Sequence, residues 1–358
     1  MTGRAGGLRC VELFAGAGGA AIGLKAAGLT HAALVEWDAD ACATLRAAGL
    51  GPVLEGDASD VTARMKDWRK VLEPDAFNVA VDELLDSDIG GEDDDPDAWP
   101  LAREALADRM VTEAQRVDVL WASPPCPLHS RANSLRRAEA FDGWPATLAW
   151  VDALAPAWVV VENVQAALAE ARRRWSPDLE ARGYSVVSAV LAAEDYGVPQ
   201  RRRRVVFMAR RGGPVALPEP THGAEPGLWR LPHRTLGEAV PLLLADDDPH
   251  LRYTEGRAGS EPWRLGQPAP TVMTTEVKGT RASASSGWTF NGGPDRASDA
   301  AFLAVGRRRL TWRECAALQG FPVGHPFRGA AEARYRQVGN AVPPRLAEVV
   351  GRAILAAP

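Results

Sequence analysis

Apolar segments of strand length alternate with helical segments through the first two hundred residues, and this alternation restricts the fold more than any other feature. The predicted strands are residues 8–13, 31–35, 52–55, 117–122, 157–162, 184–191 and 203–209. Helical patterns lie between many of them, as at 38–48 and 144–155. Apolar strands separated by helices are typical of α/β proteins, so we expect a mostly parallel sheet covered on both faces.

The composition changes at about residue 212. Residues 212–306 are rich in Gly, Pro, Ser and Thr and have few periodic runs, which indicates a smaller, loop-rich, β-containing second domain. Regular structure resumes with a predicted helix at 310–321, where Thr311 and Glu314 form a capping box, and a last helix begins near Pro343-Pro344. We therefore divide the chain into residues 1–211, residues 212–306, and a segment 307–358 that completes the first domain.

The net charge of −5 is distributed unevenly. Residues 71–100 contain eleven acidic side chains and no Lys or Arg, which is typical of a solvated insertion. The rest of the chain is net positive, with arginine clusters at 172–174, 201–204, 210–211 and 307–309. A local basic surface could therefore bind phosphates, although arginine runs are more often simply solvated.

The remaining composition excludes several classes of protein. No apolar run reaches the 18 or so residues that span a bilayer, so we expect no contact with a membrane. The four cysteines have no CxxC spacing, which predicts neither a metal site nor a disulfide framework and suits a reducing cytoplasm.

Three glycines, Gly16, Gly18 and Gly19, separate the first strand from a helix predicted at 20–27. Glycines at such a turn let the backbone approach a ligand, and the helix N-terminus attracts an electronegative group. A tight turn without a ligand is the alternative. Glu36 and Asp57 then follow the second and third strands at the same sheet edge, where ligands of α/β proteins bind, although either acid could be a helix cap.

Two further strands end in chemically active residues. Cys126 follows Pro124-Pro125 directly after a strand, which presents its thiol as a candidate nucleophile, although a lone cysteine is usually a small core residue. The strand at 157–162 ends in Glu162, a carboxyl whose burial would raise its pKa and let it donate a proton or a hydrogen bond. Residues 200–204 precede a strand, so alternate side chains there face the same side.

Together these segments resemble the cytosine-C5 DNA methyltransferases, in the motif order of that family and over almost the whole chain. Residues 14–19 (FAGAGG) resemble its cofactor loop, Pro125-Cys126 its catalytic Pro-Cys, and 162–164 its Glu-Asn-Val motif. Residues 200–204 resemble its Gln-x-Arg-x-Arg motif, and 309–322 and 337–344 its two C-terminal motifs. The resemblance implies a Rossmann-like, doubly wound class I methyltransferase domain with a target-recognition domain at 212–306.

The resemblance also implies S-adenosylmethionine as the cofactor. Glu36 would hold its ribose, Trp37 would stack on adenine and Asp57 would read the amino group of the base. The implied cofactor-binding residues are Phe14, Ala15, Gly16, Gly18, Gly19, Glu36, Trp37, Asp57, Ala58, Pro125, Asn340, Ala341 and Val342.

The chemistry implied by the resemblance begins with attack of the Cys126 thiolate on C6 of cytosine, which makes C5 nucleophilic. Glu162 would stabilise that species at N3 and the exocyclic amine, Arg204 would hold O2, and Arg202 would support Glu162 and the loop. Because a stacked base cannot be reached, the cytosine would be flipped out of double-stranded DNA. The implied DNA-binding residues are Ser130, Arg131, Gln200, Thr271, Val272, Thr274, Thr275, Lys278 and Arg281.

One departure from the family pattern lies next to the nucleophile, where Pro127 replaces the usual Gln and His129 the usual Phe. Two other functions remain open: a relative that methylates transfer RNA, and a DNA-binding relative that has lost catalysis. The sequence favours a monomeric DNA methyltransferase in the cytoplasm, associated with the nucleoid, with a cognate restriction endonuclease as a possible partner.

Overall fold

The computed structural model describes residues 7–65, 67–68, 116–125, 142–240, 252–253, 266–272, 307–308 and 310–358. Within these ranges seven strands form one sheet with apolar cores on both of its faces, which confirms the predicted α/β class. In the same ranges no helix has the length and apolar character needed to cross a membrane.

All seven predicted strands are present, with ends shifted by at most two residues. They are β1 (Arg9–Leu13), β2 (Thr30–Glu36), β3 (Val53–Glu55), β4 (Val119–Ala122), β5 (Trp158–Val164), β6 (Tyr184–Ala192) and β7 (Arg203–Arg211). The strand order is β3-β2-β1-β4-β5-β7-β6; the first five strands are parallel, and β7 is antiparallel to both of its neighbours. The winding direction reverses between β1 and β4, so the carboxyl ends of these strands are where a ligand site is expected.

Helices cover the two faces of the sheet. On one face, α3 (Trp144–Leu154) and a helical segment at 165–180 bury a tryptophan-rich core, in which the rings of Trp144 and Trp175 stack at 5.1 Å. On the other face lies α1 (Gly19–Ala27), while α2 (Ala39–Ala48) follows β2. The helix predicted at 20–27 and those predicted at 38–48 and 144–155 are therefore confirmed.

The C-terminal segment completes this second face. Short helix α4 (Leu236–Ala239) precedes α5 (Trp312–Gln319), α6 (Ala331–Asn340) and α7 (Pro344–Ala356). Helix α5 begins with the predicted capping box, because Glu314 N donates to Thr311 Oγ1 (3.3 Å) and Thr311 N donates to the Glu314 carboxylate (2.6 Å). Helix α6 was not predicted, since its sequence has too few apolar residues to show a helical period.

Glycine brings α1 and α7 unusually close together. A Cβ atom on Gly23 would lie 2.1 Å from the carbonyl oxygen of Pro344 and 2.8 Å from the Cβ of Ala347. One on Gly351 would lie 2.8 Å from the Cβ of Ala27. Helix α7 therefore packs closely against α1, the helix that follows the glycine loop. Residues 340–343 immediately precede α7 in the chain.

The described parts of 212–306 pack on the rest of the molecule. Leu236, Val240, Ala269 and Val272 are buried in one core with side chains of α5 and α6. Two-residue strands pair His222–Gly223 with Leu231–Pro232 and Arg252–Tyr253 with Arg307–Arg308. The division at 212 and 306 stays a prediction, and the acidic stretch 71–100 lies outside the described residues.

A buried acid–imidazole pair joins β1 to β2. Glu12 Oε2 lies 3.2 Å from His31 Nε2, and both side chains are almost completely shielded from solvent. Burial raises the pKa of the Glu12 carboxyl from its usual 4.5, while the contact with His31 opposes the shift and nearby Glu36 adds to it.

Candidate active site

The glycine loop between β1 and α1 has a left-handed backbone at three positions. Phe14 has φ = 58°, Gly16 has φ = 54° and Gly18 has φ = 82°. A non-glycine residue at positive φ is strained, and such strain concentrates at ligand sites. A Cβ atom on Gly16 would meet no atom within 4 Å, so this glycine faces open space. That space is where a bound ligand would approach the backbone.

Gly18 and Gly19 have a different role, because protein atoms occupy the space beside them. A Cβ atom on Gly18 would lie 2.4 Å from a methyl carbon of Leu50, and one on Gly19 would lie 2.2 Å from the carbonyl oxygen of Val342. The structure therefore places Ala341 and Val342 beside the glycine loop. Ala341 and Val342 are buried there and Asn340 is exposed.

Glu36 is held in place at the carboxyl end of β2. Its carboxylate accepts hydrogen bonds from the backbone N–H groups of Gly16 (2.7 Å), Trp37 (2.9 Å) and Asp38 (2.9 Å). Burial raises the pKa of the Glu36 carboxyl, and these three hydrogen bonds oppose that shift. The acid thus joins the glycine loop to the start of α2.

The other adenosine-binding candidates lie around this carboxylate. The Trp37 side chain is 72% exposed, which is unusual for a tryptophan and leaves its ring free to stack. Asp57 is exposed and accepts a hydrogen bond from Ser59 N (2.8 Å), whereas Ala58 is buried and its carbonyl accepts one from Trp150 Nε1 (2.8 Å). Helix α1 also lacks a side-chain cap, so its first N–H groups are available to a ligand.

The residues around the loop fit S-adenosylmethionine. Three features suit an adenosine-containing ligand. They are the open space at Gly16, the Glu36 carboxylate, which can accept hydrogen bonds from ribose hydroxyls, and the exposed aromatic ring of Trp37, which can stack on the base. The fit depends on tertiary contacts, since Glu36 is twenty residues from Gly16 and Val342 comes from the far end of the chain.

The candidate catalytic acid, Glu162, lies near the end of β5 at the same sheet edge. Its Oε1 atom is 3.1 Å from Nε of Arg204, and both side chains are largely shielded from solvent. Burial raises the pKa of the Glu162 carboxyl; Arg204, Arg202 and a hydrogen bond with Ser123 lower it. For this buried carboxyl the desolvation outweighs the effect of its cationic neighbours, and a raised pKa favours its role as a proton or hydrogen-bond donor.

The β4 strand leads directly towards Glu162. Pro124 O accepts a hydrogen bond from the side-chain amide of Asn163 (3.1 Å), which joins the loop after β4 to the Glu-Asn-Val segment. Pro125 is exposed and is the last described residue before Cys126. Cys126 itself lies outside the described residues, as do Ser130, Arg131, Thr274, Thr275, Lys278 and Arg281.

Two residues of the Gln-x-Arg-x-Arg motif, Gln200 and Arg202, are buried, which corrects the expectation that Gln200 contacts DNA directly. Gln200 is fully buried; its amide nitrogen donates to Leu318 O (3.3 Å) and Gln319 Oε1 (3.1 Å), and its amide oxygen accepts from Val272 N (2.8 Å). Any effect of Gln200 or of buried Val272 on DNA binding would therefore be indirect. Thr271 is only half-buried, and its hydroxyl donates to Arg201 O (2.6 Å).

Arg202 supports the backbone and makes no hydrogen bond with Glu162. Its guanidinium donates to the carbonyl oxygens of Val272 (3.0 Å), Gly339 (2.8 Å) and Ala341 (3.0 Å). Burial, and then nearby Arg204, lower the pKa of this group. Arg202 thus connects Val272, at the end of the described segment 266–272, to Gly339 and Ala341 near the glycine loop.

Sequence reasoning missed several residues that support the site. Ser123 contacts Glu162, Gln319 donates to Val338 O (2.7 Å), and Arg336 pairs with Asp38 (3.2 Å) immediately after Trp37. His325 lies 3.0 Å from the carbonyl oxygen of Ala17 in the glycine loop. A polar residue between an apolar strand and Pro124 could have indicated Ser123; the other contacts join distant parts of the chain and leave no local signal.

Comparison with known proteins agrees with this geometry. A family model described as C-5 cytosine-specific DNA methylase matches residues 8–78, 104–227 and 260–356. The chain is 29% identical to the Type II methyltransferase M.NgoMIV of Neisseria gonorrhoeae over 97% of each chain. It is 30% identical to the Type II methyltransferase M.NaeI of Lentzea aerocolonigenes over 98% of this chain and 75% of that protein.

The fold is shared with solved structures at lower identity. The Dnmt2 methyltransferase of S. pombe superposes with a TM-score of 0.57 at 15% identity, and the match covers 97% of each chain. At that identity the likeness concerns the fold alone, whereas the family model covers most of this chain. The chain therefore belongs to the C-5 cytosine-specific DNA methylase family, whose members use S-adenosylmethionine as the methyl donor.

Proposed function

We propose that this DNA (cytosine-5-)-methyltransferase modifies a cytosine flipped out of one specific duplex sequence, through a covalent bond to Cys126. The observation that supports this mechanism best is the buried Glu162 carboxyl, which pairs with Arg204 at the sheet edge where β4 ends; Pro125 follows β4 there and precedes Cys126 in the sequence. Burial raises the pKa of this carboxyl, which favours its donating a proton or a hydrogen bond to a base.

The cofactor would be held by residues of the glycine loop and the neighbouring strand ends. Glu36 would accept hydrogen bonds from the ribose, Trp37 would stack on the adenine and Asp57 would bind its amino group. Gly16 leaves room for the ligand, and Val342 closes the loop from the C-terminal side. When bound, S-adenosylmethionine supplies an electrophilic methyl group.

The protein residues would make C5 of cytosine nucleophilic enough to accept that methyl group. The Cys126 thiolate forms a bond to C6, and the electron pair of the C5–C6 double bond moves to C5, from which it is delocalised through C4 onto N3. Glu162 stabilises this species by giving a proton or hydrogen bond to N3, while Arg204 binds O2. After C5 is methylated it loses its proton to a base, the C–S bond breaks and the aromatic ring is restored.

A covalent trap tests this mechanism. A duplex that contains 5-fluorocytosine at the target should form a cofactor-dependent adduct on a denaturing gel, because fluorine cannot leave C5 as a proton. Cys126→Ser should abolish the adduct and methyl transfer, whereas Cys10→Ala, which removes a buried thiol at the start of β1, should retain both. Substantial turnover by Cys126→Ala would exclude the thiol-addition route.

Recognition of the DNA sequence is proposed to reside in 212–306. Direct readout needs side chains that reach base edges, and the catalytic motifs are committed to the cofactor and the flipped base. Exchange of 212–306 for the same region of a relative with another target should transfer specificity. An active chimera that still methylates the original sequence would refute the assignment.

The biological setting is proposed from the named relatives, which are Type II methyltransferases. We propose a monomeric modification enzyme that acts on chromosomal DNA in the cytoplasm beside a cognate restriction endonuclease. Methylation-sensitive sequencing of DNA from an expressing host should give the target sequence. Parallel assays with labelled cofactor on DNA and on transfer RNA test the remaining alternative, and preferential methylation of transfer RNA would overturn the DNA assignment.

A further inference from the structure

The four arginines at 201–204 alternate in burial. Arg202 is buried and Arg204 is largely shielded beside Glu162, whereas Arg201 and Arg203 are exposed. In the described part of the chain, neither exposed guanidinium has a hydrogen bond or an acidic partner. Several exposed arginines elsewhere are paired, such as Arg46 with Glu55 at 2.8 Å. Arg201 and Arg203 are therefore two available cations next to the candidate catalytic pair.

The backbone that carries these two arginines is firmly anchored. Arg201 N donates to Ala269 O (2.6 Å), and Arg201 O accepts from the Thr271 hydroxyl (2.6 Å). On either side of Arg201, the buried side chains of Gln200 and Arg202 are held by hydrogen bonds to the C-terminal helices and to Val272. The exposed side chains thus project from a fixed backbone, which lowers the entropy lost when they bind a ligand.

Their location matches where the DNA backbone must pass. Arg203 is the first residue of β7, and its neighbour Arg204 contacts Glu162. A flipped cytosine stays attached to its own sugar and phosphates, so a base that reaches Glu162 brings those phosphates to this edge of the sheet. Arginine is suited to bind them because its planar guanidinium pairs with two phosphate oxygens.

We propose that Arg201 and Arg203 bind the DNA phosphates next to the flipped cytosine, independently of sequence. The motif would then have two roles. The buried side chains of Gln200 and Arg202 fix the backbone of residues 200–204, and the exposed side chains of Arg201 and Arg203 bind the DNA backbone. The contact would orient the duplex for every target, while base recognition remains with other residues.

The test uses Arg201→Gln, Arg203→Gln and the double variant, with Arg211→Gln as the matched control. Arg211 is also exposed and ends the same nine-residue strand, so the control removes one positive charge from the opposite end of β7. The two ends are about 26 Å apart at the usual rise per residue. The probe is a fluorescein-labelled DNA duplex of mixed sequence and about 25 base pairs, which is long enough for the protein to contact several phosphates.

Binding is measured by anisotropy between about 50 and 200 mM salt, the range over which phosphate contacts weaken strongly. Each single variant should raise Kd several-fold at low salt and reduce the slope of log K against log salt by about 0.9. In methylation assays, KM for DNA should rise more than kcat falls, and Kd for the cofactor should stay unchanged. Arg211→Gln should match the wild type in all five quantities: Kd for DNA, the salt slope, KM, kcat and Kd for the cofactor.

Salt slopes of Arg201→Gln and Arg203→Gln that equal the slope of Arg211→Gln would overturn the proposal. The binding assay needs no catalysis, so failure of the Cys126 mechanism and failure of the phosphate contact give different results. Thermal melting of each variant checks that the fold is intact, which is expected since both side chains are exposed.

Discussion

Replacement of Arg202 by Met should destabilise the protein strongly, although the hydrogen bonds of its guanidinium go to backbone carbonyls and not to a carboxylate. Methionine fills a similar apolar volume but cannot donate to the carbonyls of Val272, Gly339 and Ala341, which lie 2.8–3.0 Å from the guanidinium. The carbonyls of Val272 and Gly339 would lose this donor, and that of Ala341 would keep only the longer hydrogen bond from Gln319 Nε2 (3.5 Å).

The magnitude follows from the three hydrogen bonds and the cost of burying the cation. A hydrogen bond to a charged group contributes about 1.5–3 kcal/mol, so three contribute about 5–9 kcal/mol. Burial of a guanidinium costs several kcal/mol, and Arg202 Nε has no hydrogen-bond partner. The expected loss in the free energy of unfolding is therefore about 3–5 kcal/mol. Arg202→Lys keeps the charge and some of the donors, so its loss should be about half as large.

Urea denaturation followed by circular dichroism measures this loss. Arg201→Met is the control on the adjacent, exposed position and should change the free energy of unfolding by less than about 0.5 kcal/mol. In Arg202→Lys, which should remain folded, KM for the cofactor and for DNA should both rise, because the arginine holds Val272 and Ala341 together. A loss below about 1 kcal/mol for Arg202→Met would refute the assigned supporting role.

Three further predictions concern other sites. Glu12→Gln should raise the melting temperature at pH 8, and this gain should disappear towards pH 4. The raised pKa of Glu12 favours the folded state at low pH, and that contribution to stability is lost as the pH rises through the folded pKa. A gain in melting temperature that does not depend on pH would contradict this. Trp37→Ala should weaken cofactor binding by about tenfold, the loss of about 1–2 kcal/mol of stacking, without lowering stability, and calorimetry with an unchanged Kd would exclude stacking. Deletion of 86–97 should leave the methylated sequence unchanged, and a shifted target would place the acidic stretch at the DNA.

Local sequence patterns predicted the elements of the fold accurately. Apolar runs and helical periods are read from neighbouring residues, and the seven strands and the capping box at Thr311 occur where these patterns indicated. The family resemblance extended this to the cofactor and the reaction, because its motifs are short and continuous. Helix α6 escaped prediction since its side chains form no clear apolar stripe.

The roles of individual motif residues were less predictable. Gln200 and Val272 were expected at the DNA and are buried. Arg202 was expected to support Glu162 and the loop; its charge lowers the pKa of Glu162, and its guanidinium donates to three backbone carbonyls that the sequence did not indicate. A polar motif residue in a sequence looks the same whether it faces a ligand or the interior. Its burial depends on which distant segments pack around it, so only the tertiary structure distinguishes the two.

The sequence by itself determined the strands, the helices, the glycine turn and the order of the chemical groups along the chain, because each depends on residues close to one another. The tertiary structure decided which glycine faces a ligand. The space beside Gly16 is open, whereas the space beside Gly19 is occupied by the carbonyl of Val342, which is more than three hundred residues away in the sequence. It also decided the balance at Glu162, where burial raises the pKa of the carboxyl more than Arg204 lowers it. Both outcomes depend on burial, and burial is a property of the packed chain rather than of any local segment.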